Sequence, residues 1–247
     1  MTTIDTTTAG SPPENWPEDV QYLTDLTYSP AVTPDMRNAL GRPSTTAESL
    51  DQVPRALVAG PNNGDRVCIR TITAPEQHPA LGQRGLFAAA DLAPSSFLCL
   101  YVGRVHTDSR DDTDVRSHYD LSFHQFDKED AGTGGGGLSI DATHCGNEAR
   151  MTNDFHGIAD RPNAEFRDCL VQVPSARRRE GWKWERRVGI FVCPAGLAKG
   201  GRRSAAAEAG GGGGGIIAGG EILVNYGREY WDSRNMSVHK TKASGAG

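Results

Sequence analysis

At 247 residues the chain is long enough for one large domain or two small ones, and one domain with additions is the expected organisation. A formal net charge of −5 excludes the coating of nucleic acid or of an anionic membrane as its main task, since either favours a basic surface. A hydrophobic share of 37% with 30 glycines implies a packed part shorter than the chain.

Residues 1–15 are rich in Thr, Ser and Pro with little to bury, so disorder is expected there, and the stretch lacks the basic and apolar runs of a secretory signal. From Trp16 onward a sparse apolar pattern (Val20, Tyr22, Leu23, Leu26, Leu40) is interrupted by Pro30, Pro34, Pro43 and Pro54. Repeated prolines limit helix length, so 16–65 reads as an extended segment wrapped around a domain that begins near Arg66. "RVCIRTI" (66–72) alternates as a half-buried strand does, and "RGLFAAADL" and "SSFLCLYVGRV" give two further strand-like runs. "SHYDLSF" (117–123), "GLSIDA" (137–142), "AEFRDCLVQV" (164–173) and "RVGIFVC" (187–193) continue the series. Only 108–116 and 146–152 have room for a turn or two of helix, so the expected fold class is mainly β with few short helices.

The Gly-rich inserts at 132–137 ("GTGGGG") and 199–220 read as mobile loops that leave the neighbouring sheets intact, and 232–247 reads as a flexible tail. Cys68, Cys99, Cys145, Cys169 and Cys193 are widely spread without a C-x-x-C pair, so they read as reduced thiols of an intracellular protein and not as a zinc site. No stretch reaches membrane-spanning length. Arg177–Arg179, Arg186, Arg187, Arg202 and Arg203 place positive charge in the second half. They read as a solvated face or, alternatively, as a landing site for an acidic partner or a nuclear import signal.

Four segments carry the candidate chemistry. "GQRGLFAAADL" (82–92) offers Gly85, preceded by Arg84, as a place where backbone without a Cβ approaches a ligand closely, although alone it reads as a turn. "YVG" (101–103) reads as an aromatic residue and a glycine ending a core strand. "GNEARMTNDFHG" (146–157) is strongly polar for a run between buried strands, and "RPNAEF" (161–166) leads it into the next one. "GGEILVNYG" (219–227) with "REYW" (228–231) closes the pattern on Tyr226, Tyr230 and Trp231.

In this order and content the four segments resemble those of the SET-domain protein lysine methyltransferases, and the resemblance covers roughly residues 66–231. It implies a SET-domain fold of short curved β-sheets in which 147–154 threads beside the segment of Tyr226, a knot-like crossing at the active site. It implies S-adenosyl-L-methionine as cofactor, held by Arg84, Gly85, Tyr119, Arg150, Met151, Asn153 and Tyr226, with Tyr226 as the catalytic tyrosine. Tyr119, Tyr230 and Trp231 are implied to line a channel that aligns a lysine amine and disfavours its charged form by burial. Tyr119 reads equally as core packing, and Arg150 alternatively as a salt-bridge partner of Glu148 or Glu221. Asp154 and Phe155 stand where the family usually has His-Ser, and the cysteine-rich zinc segments of many members are missing. Those departures suit a branch with Asn-Asp-aromatic and no metal. The implied partner is a protein with an acceptor lysine, a histone tail or another protein, in the nucleus or otherwise the cytoplasm, with neither sequence-specific nucleic-acid binding nor a membrane. Two readings compete with the enzyme: a non-catalytic SET module that binds a protein partner or the cofactor, and an unrelated small β protein whose motifs match by chance.

Overall fold

A computed structural model describes residues 11–41, 50–58, 65–127, 132, 134–175, 181–195, 214–227 and 230. The first ten residues, Arg177–Arg179, 199–213 of the longer insert with Arg202 and Arg203, Trp231 and the tail 232–247 lie outside the described residues. In chain order the strands are β1 (Gln21–Tyr22), β2 (Thr27–Tyr28), β3 (Asp51–Val53), β4 (Val67–Thr71), β5 (Arg84–Ala88), β6 (Phe97–Leu100) and β7 (Arg104–Thr107). They continue as β8 (Asp120–Phe126), β9 (Gly136–Asp141), β10 (Cys145–Gly146), β11 (Asn153–Asp154), β12 (Ala164–Pro174), β13 (Trp182–Val192) and β14 (Leu223–Val224). The helices are short: α1 (Pro34–Ala39), α2 (Arg55–Val58) and a 3-10 turn at Glu148–Met151. The fold is thus mainly β, and 108–116 forms hydrogen-bonded turns without a helix.

Two four-stranded sheets, ordered β3-β12-β13-β6 and β2-β7-β9-β8, are accompanied by three two-stranded ones, β1-β10, β11-β14 and β4-β5. Alternation places β4 as its sequence suggests: Val67 and Ile69 are buried, while Arg70 and Thr71 are exposed. The run "SSFLCLYVGRV" divides into β6 and β7, and Gly103 stands just before β7, where a Cβ would lie 2.5 Å from the Asp141 carbonyl oxygen, a close approach that only glycine permits.

The proline-punctuated segment before residue 58 takes part in both sheets. β1, β2 and β3 each pair in parallel with a later strand, β10, β7 and β12 respectively. Pro34 opens α1 at the position where a missing N–H costs nothing, and the Thr33 hydroxyl accepts from Met36 N–H at 3.3 Å. Trp16, Leu26, Val32 and Leu40 join Leu86, Leu98, Ile140 and Ile222 in the main core. A buried charge cluster reinforces this union: Arg187 of β13 bonds Glu185 and, at 3.2 Å, Asp25, while Tyr28 donates to Glu185 at 3.2 Å. All five cysteines are free thiols, and burial pushes the Cys169 thiol up to about 12.

Candidate active site

Residues 147–154 cross the segment 221–226 with almost no ladder, since β11 and β14 pair in parallel over two residues only, Asn153 with Leu223 and Asp154 with Val224. Backbone groups beside such short strands need other partners. Asparagine side chains supply them. Asn147 donates from Nδ2 to the Leu100 carbonyl (2.8 Å) and accepts at Oδ1 from Val102 N–H (3.2 Å). Asn163 repeats the pattern on Glu221 and Leu223, both bonds at 2.8 Å. Each amide bonds a carbonyl and the N–H two positions on, which is what one residue of a parallel neighbour would do.

Asp154 does related work at the residue that the sequence marks as catalytic. Its Oδ2 accepts from Tyr226 N–H at 2.7 Å, and its Oδ1 accepts from His156 N–H at 2.8 Å and from the His156 ring nitrogen Nδ1. Burial pushes the Asp154 carboxyl up, but the two backbone N–H bonds and the His156 side chain together outweigh it and hold the group below its ordinary range. An acceptor-only side chain therefore suits this position, because here it receives N–H donors alone.

The Tyr226 hydroxyl donates to the Thr152 carbonyl at 2.5 Å, and the Tyr230 ring stands edge-on to the Tyr226 ring at 4.7 Å. Tyr101, from the "YVG" segment, is buried beside them. Burial first, and the neighbouring Tyr226 second, push its phenol well above the usual range, so it stays a neutral donor to the Tyr119 carbonyl at 2.7 Å. Tyr119 is 37% exposed, and its ring carries the Arg150 guanidinium 4.2 Å from its centroid. Arg150 also donates to the Ala142 carbonyl at 2.8 Å and the Thr143 carbonyl at 3.4 Å, so the alternative salt bridge to Glu148 or Glu221 is not formed. Tyr226, Tyr230, Tyr119 and Arg150 thus form one neighbourhood linked through Tyr101.

The remaining candidates stand further from the hydroxyl. Asn153 donates from Nδ2 to Glu221 Oε1 at 2.8 Å. Gly85 lies in β5, and a Cβ there would stand 3.0 Å from the same Oε1, so the close approach it permits is to that carboxylate. Arg84 is exposed at the start of β5 and pairs with Thr71. Met151 packs its side chain into the main core, which leaves its backbone for any ligand contact. Sequence reasoning missed Asn147, Asn163 and His78 as parts of the site, and Tyr101 entered only as a strand ending. No group of three or more His, Cys, Asp or Glu side chains could hold a metal ion, and no helix is long and apolar enough to cross a membrane, among the described residues. Oxygen acceptors and aromatic faces suit a cationic, N–H-bearing ligand.

No protein family and no curated protein matches the chain. Solved structures are similar to it at low identity. ATXR5 in complex with histone H3.1 is 15% identical over 84% of this chain and 81% of that chain, with a TM-score of 0.48. The ATXR5 SET domain in complex with dimethylated histone H3 is 14% identical over the same shares, with a TM-score of 0.49. Chaetomium thermophilum Polycomb Repressive Complex 2 bound to GSK126 is 21% identical over 71% of this chain and 17% of that chain, with a TM-score of 0.38. Likeness at this level concerns the kind of fold and carries no statement about activity.

Proposed function

We propose that the chain is an S-adenosyl-L-methionine-dependent protein-lysine N-methyltransferase, acting on a histone tail or another protein in the nucleus. The observation that carries this reading is the commitment of the Tyr226 hydroxyl hydrogen to the Thr152 carbonyl inside the crossing of 147–154 with 221–226. With its hydrogen fixed, the phenol oxygen acts as an acceptor, and it can orient a polarised methyl group by weak C–H···O contacts. The donor set fits the cofactor. The Tyr226 oxygen and the Tyr230 ring suit a positive sulfonium, and Asn153 Oδ1, unbonded by the described residues, suits an N–H of the nucleoside. When bound, S-adenosyl-L-methionine supplies an electrophilic methyl on sulfur.

The protein residues then bind and position. Asp154 fixes the backbone of Tyr226, Thr152 fixes its hydroxyl, and Tyr101 holds the Tyr119 segment beside it. Tyr119, Tyr230 and Trp231 are the proposed channel walls, which exclude water from the acceptor amine and favour its neutral, nucleophilic form. Arg84, Gly85, Arg150 and Met151 are proposed to bound the cofactor side, the last three chiefly through backbone. Transfer of labelled methyl to core histones and cell extract, compared with Tyr226→Phe, tests the reading. Transfer that falls about a hundredfold in the variant supports it.

The second reading is a SET-like module that binds a protein or the cofactor without turnover. It is favoured by Gly85 and the Asn153 donor, both engaged by Glu221 within the protein. Cofactor binding by calorimetry with no transfer to any acceptor would select it, and fluorescence imaging showing the protein only in the cytoplasm would remove the nuclear assignment.

A further inference from the structure

His78 lies outside every segment that the sequence singles out, yet its ring is buried and reaches the site. The loop between β4 and β5 is bonded to itself: Gly82 N–H meets the Ile72 carbonyl at 2.9 Å, and Ile72 N–H meets the Gln83 carbonyl at 2.8 Å. Inside it, Ala80 N–H donates to His78 Nδ1 at 3.0 Å, so the ring hydrogen belongs on Nε2, which donates to Glu221 Oε2 at 3.0 Å. The other carboxylate oxygen is the one that receives Asn153 Nδ2 and for which Gly85 leaves room. The same loop reaches the neighbouring segment as well, since a Cβ on Gly157 would stand 3.0 Å from Pro79 Cγ.

We infer that His78 is a positioning residue of the cofactor pocket: its bond to one oxygen of Glu221 fixes the carboxylate plane, and the other oxygen fixes the Asn153 amide. The inference rests on the methyltransferase reading and deepens it. Glu221 itself is anchored without His78, because Asn163 holds its carbonyl and the next residue, Ile222, donates to the Leu86 carbonyl at 2.8 Å. Loss of the His78 bond therefore leaves the strand in place. What it releases is the terminal carboxylate torsion, which is soft, and with it the orientation of Asn153.

The test is calorimetric titration of the whole chain with S-adenosyl-L-methionine, with thermal melting alongside. In His78→Asn the amide oxygen keeps the bond from Ala80 and the reach to Glu221 is lost; in His78→Gln an amide nitrogen takes the place of Nε2. Affinity falls about tenfold in His78→Asn and stays within about twofold in His78→Gln. In an Asn153→Ala background, His78→Asn adds less than about twofold, because the effect runs through Asn153. Unchanged affinity in His78→Asn, full additivity in the double variant, or a His78→Asn chain that no longer folds overturns the inference while the wild-type titration keeps the methyltransferase reading. A wild type that does not bind S-adenosyl-L-methionine overturns both.

Discussion

The β12–β13 hairpin and the crossing at 146–157 satisfy buried backbone by opposite means. In the hairpin, residues pair in unbroken register from Ala164 with Val192 to Pro174 with Trp182, and the ladder itself serves the backbone. Its buried polar side chains, Glu185 and Arg187, bond chiefly to other side chains. In the crossing the strands are two residues long, and Asn147, Asp154 and Asn163 act in place of the missing ladder. Polarity in a buried run is thus not by itself the mark of a ligand pocket. Much of the polarity of "GNEARMTNDFHG" goes to the protein's own main chain, through Asn147, Arg150 and Asp154.

Removing Arg187 sharpens the contrast most. Arg187→Ala leaves Glu185 buried beside Tyr28 without its principal counter-charge, and urea denaturation should show a loss of about 3–5 kcal/mol. Because the partners are side chains, Arg187→Met combined with Glu185→Leu recovers most of that loss. The crossing behaves otherwise. Asn163→Leu leaves the Glu221 carbonyl and the Leu223 N–H without partners, a cost of about 2–4 kcal/mol that no apolar side chain restores. A well-folded Asn163→Leu of wild-type stability would break the comparison. Gly103→Ala comes third: its methyl meets the Asp141 main chain first, which cannot turn aside as a side chain can, so thermal melting should report a loss of about 1–3 kcal/mol.

The same contrast decides what the sequence discloses. β4 and β9 show in alternation, with Val67 and Ile69 buried in one and Leu138 and Ile140 in the other, and β12 shows as an apolar run between turn signals. β13 extends five residues before the expected start at Arg187, since its outer end reverses the usual pattern: Trp182 and Trp184 are exposed while Glu185 and Arg187 are buried. β1, β2 and β3 span two or three residues, too few for any period, and depend on partners far along the chain. Within the candidate site, Tyr226, Asn153 and Arg150 can be proposed from the sequence because they lie in segments with a recognisable order. His78 is not, because its meaning lies in a bond to Glu221, 143 residues away.

Acid gives the smallest and most local probe of the crossing. The folded-state pKa of Asp154 lies below its unfolded value, because N–H donors from Tyr226 and His156 outweigh the effect of burial. A depressed carboxylate contributes stability that is fully present above the unfolded pKa and is lost as pH falls through the folded pKa. Stability should therefore be flat with respect to this group at neutral pH and decline below the ordinary carboxylate range. Asp154→Asn removes that part of the decline, and at neutral pH it costs about 1–2 kcal/mol, since an amide that accepts with its oxygen turns its own N–H groups toward another donor. Urea midpoints measured from neutral pH into the acid range, for the wild type and for Asp154→Asn, isolate the term. Parallel curves would show that the Tyr226 turn is held by something other than this carboxylate. Converging curves would show that the ionised Asp154 carboxylate is what holds the Tyr226 turn.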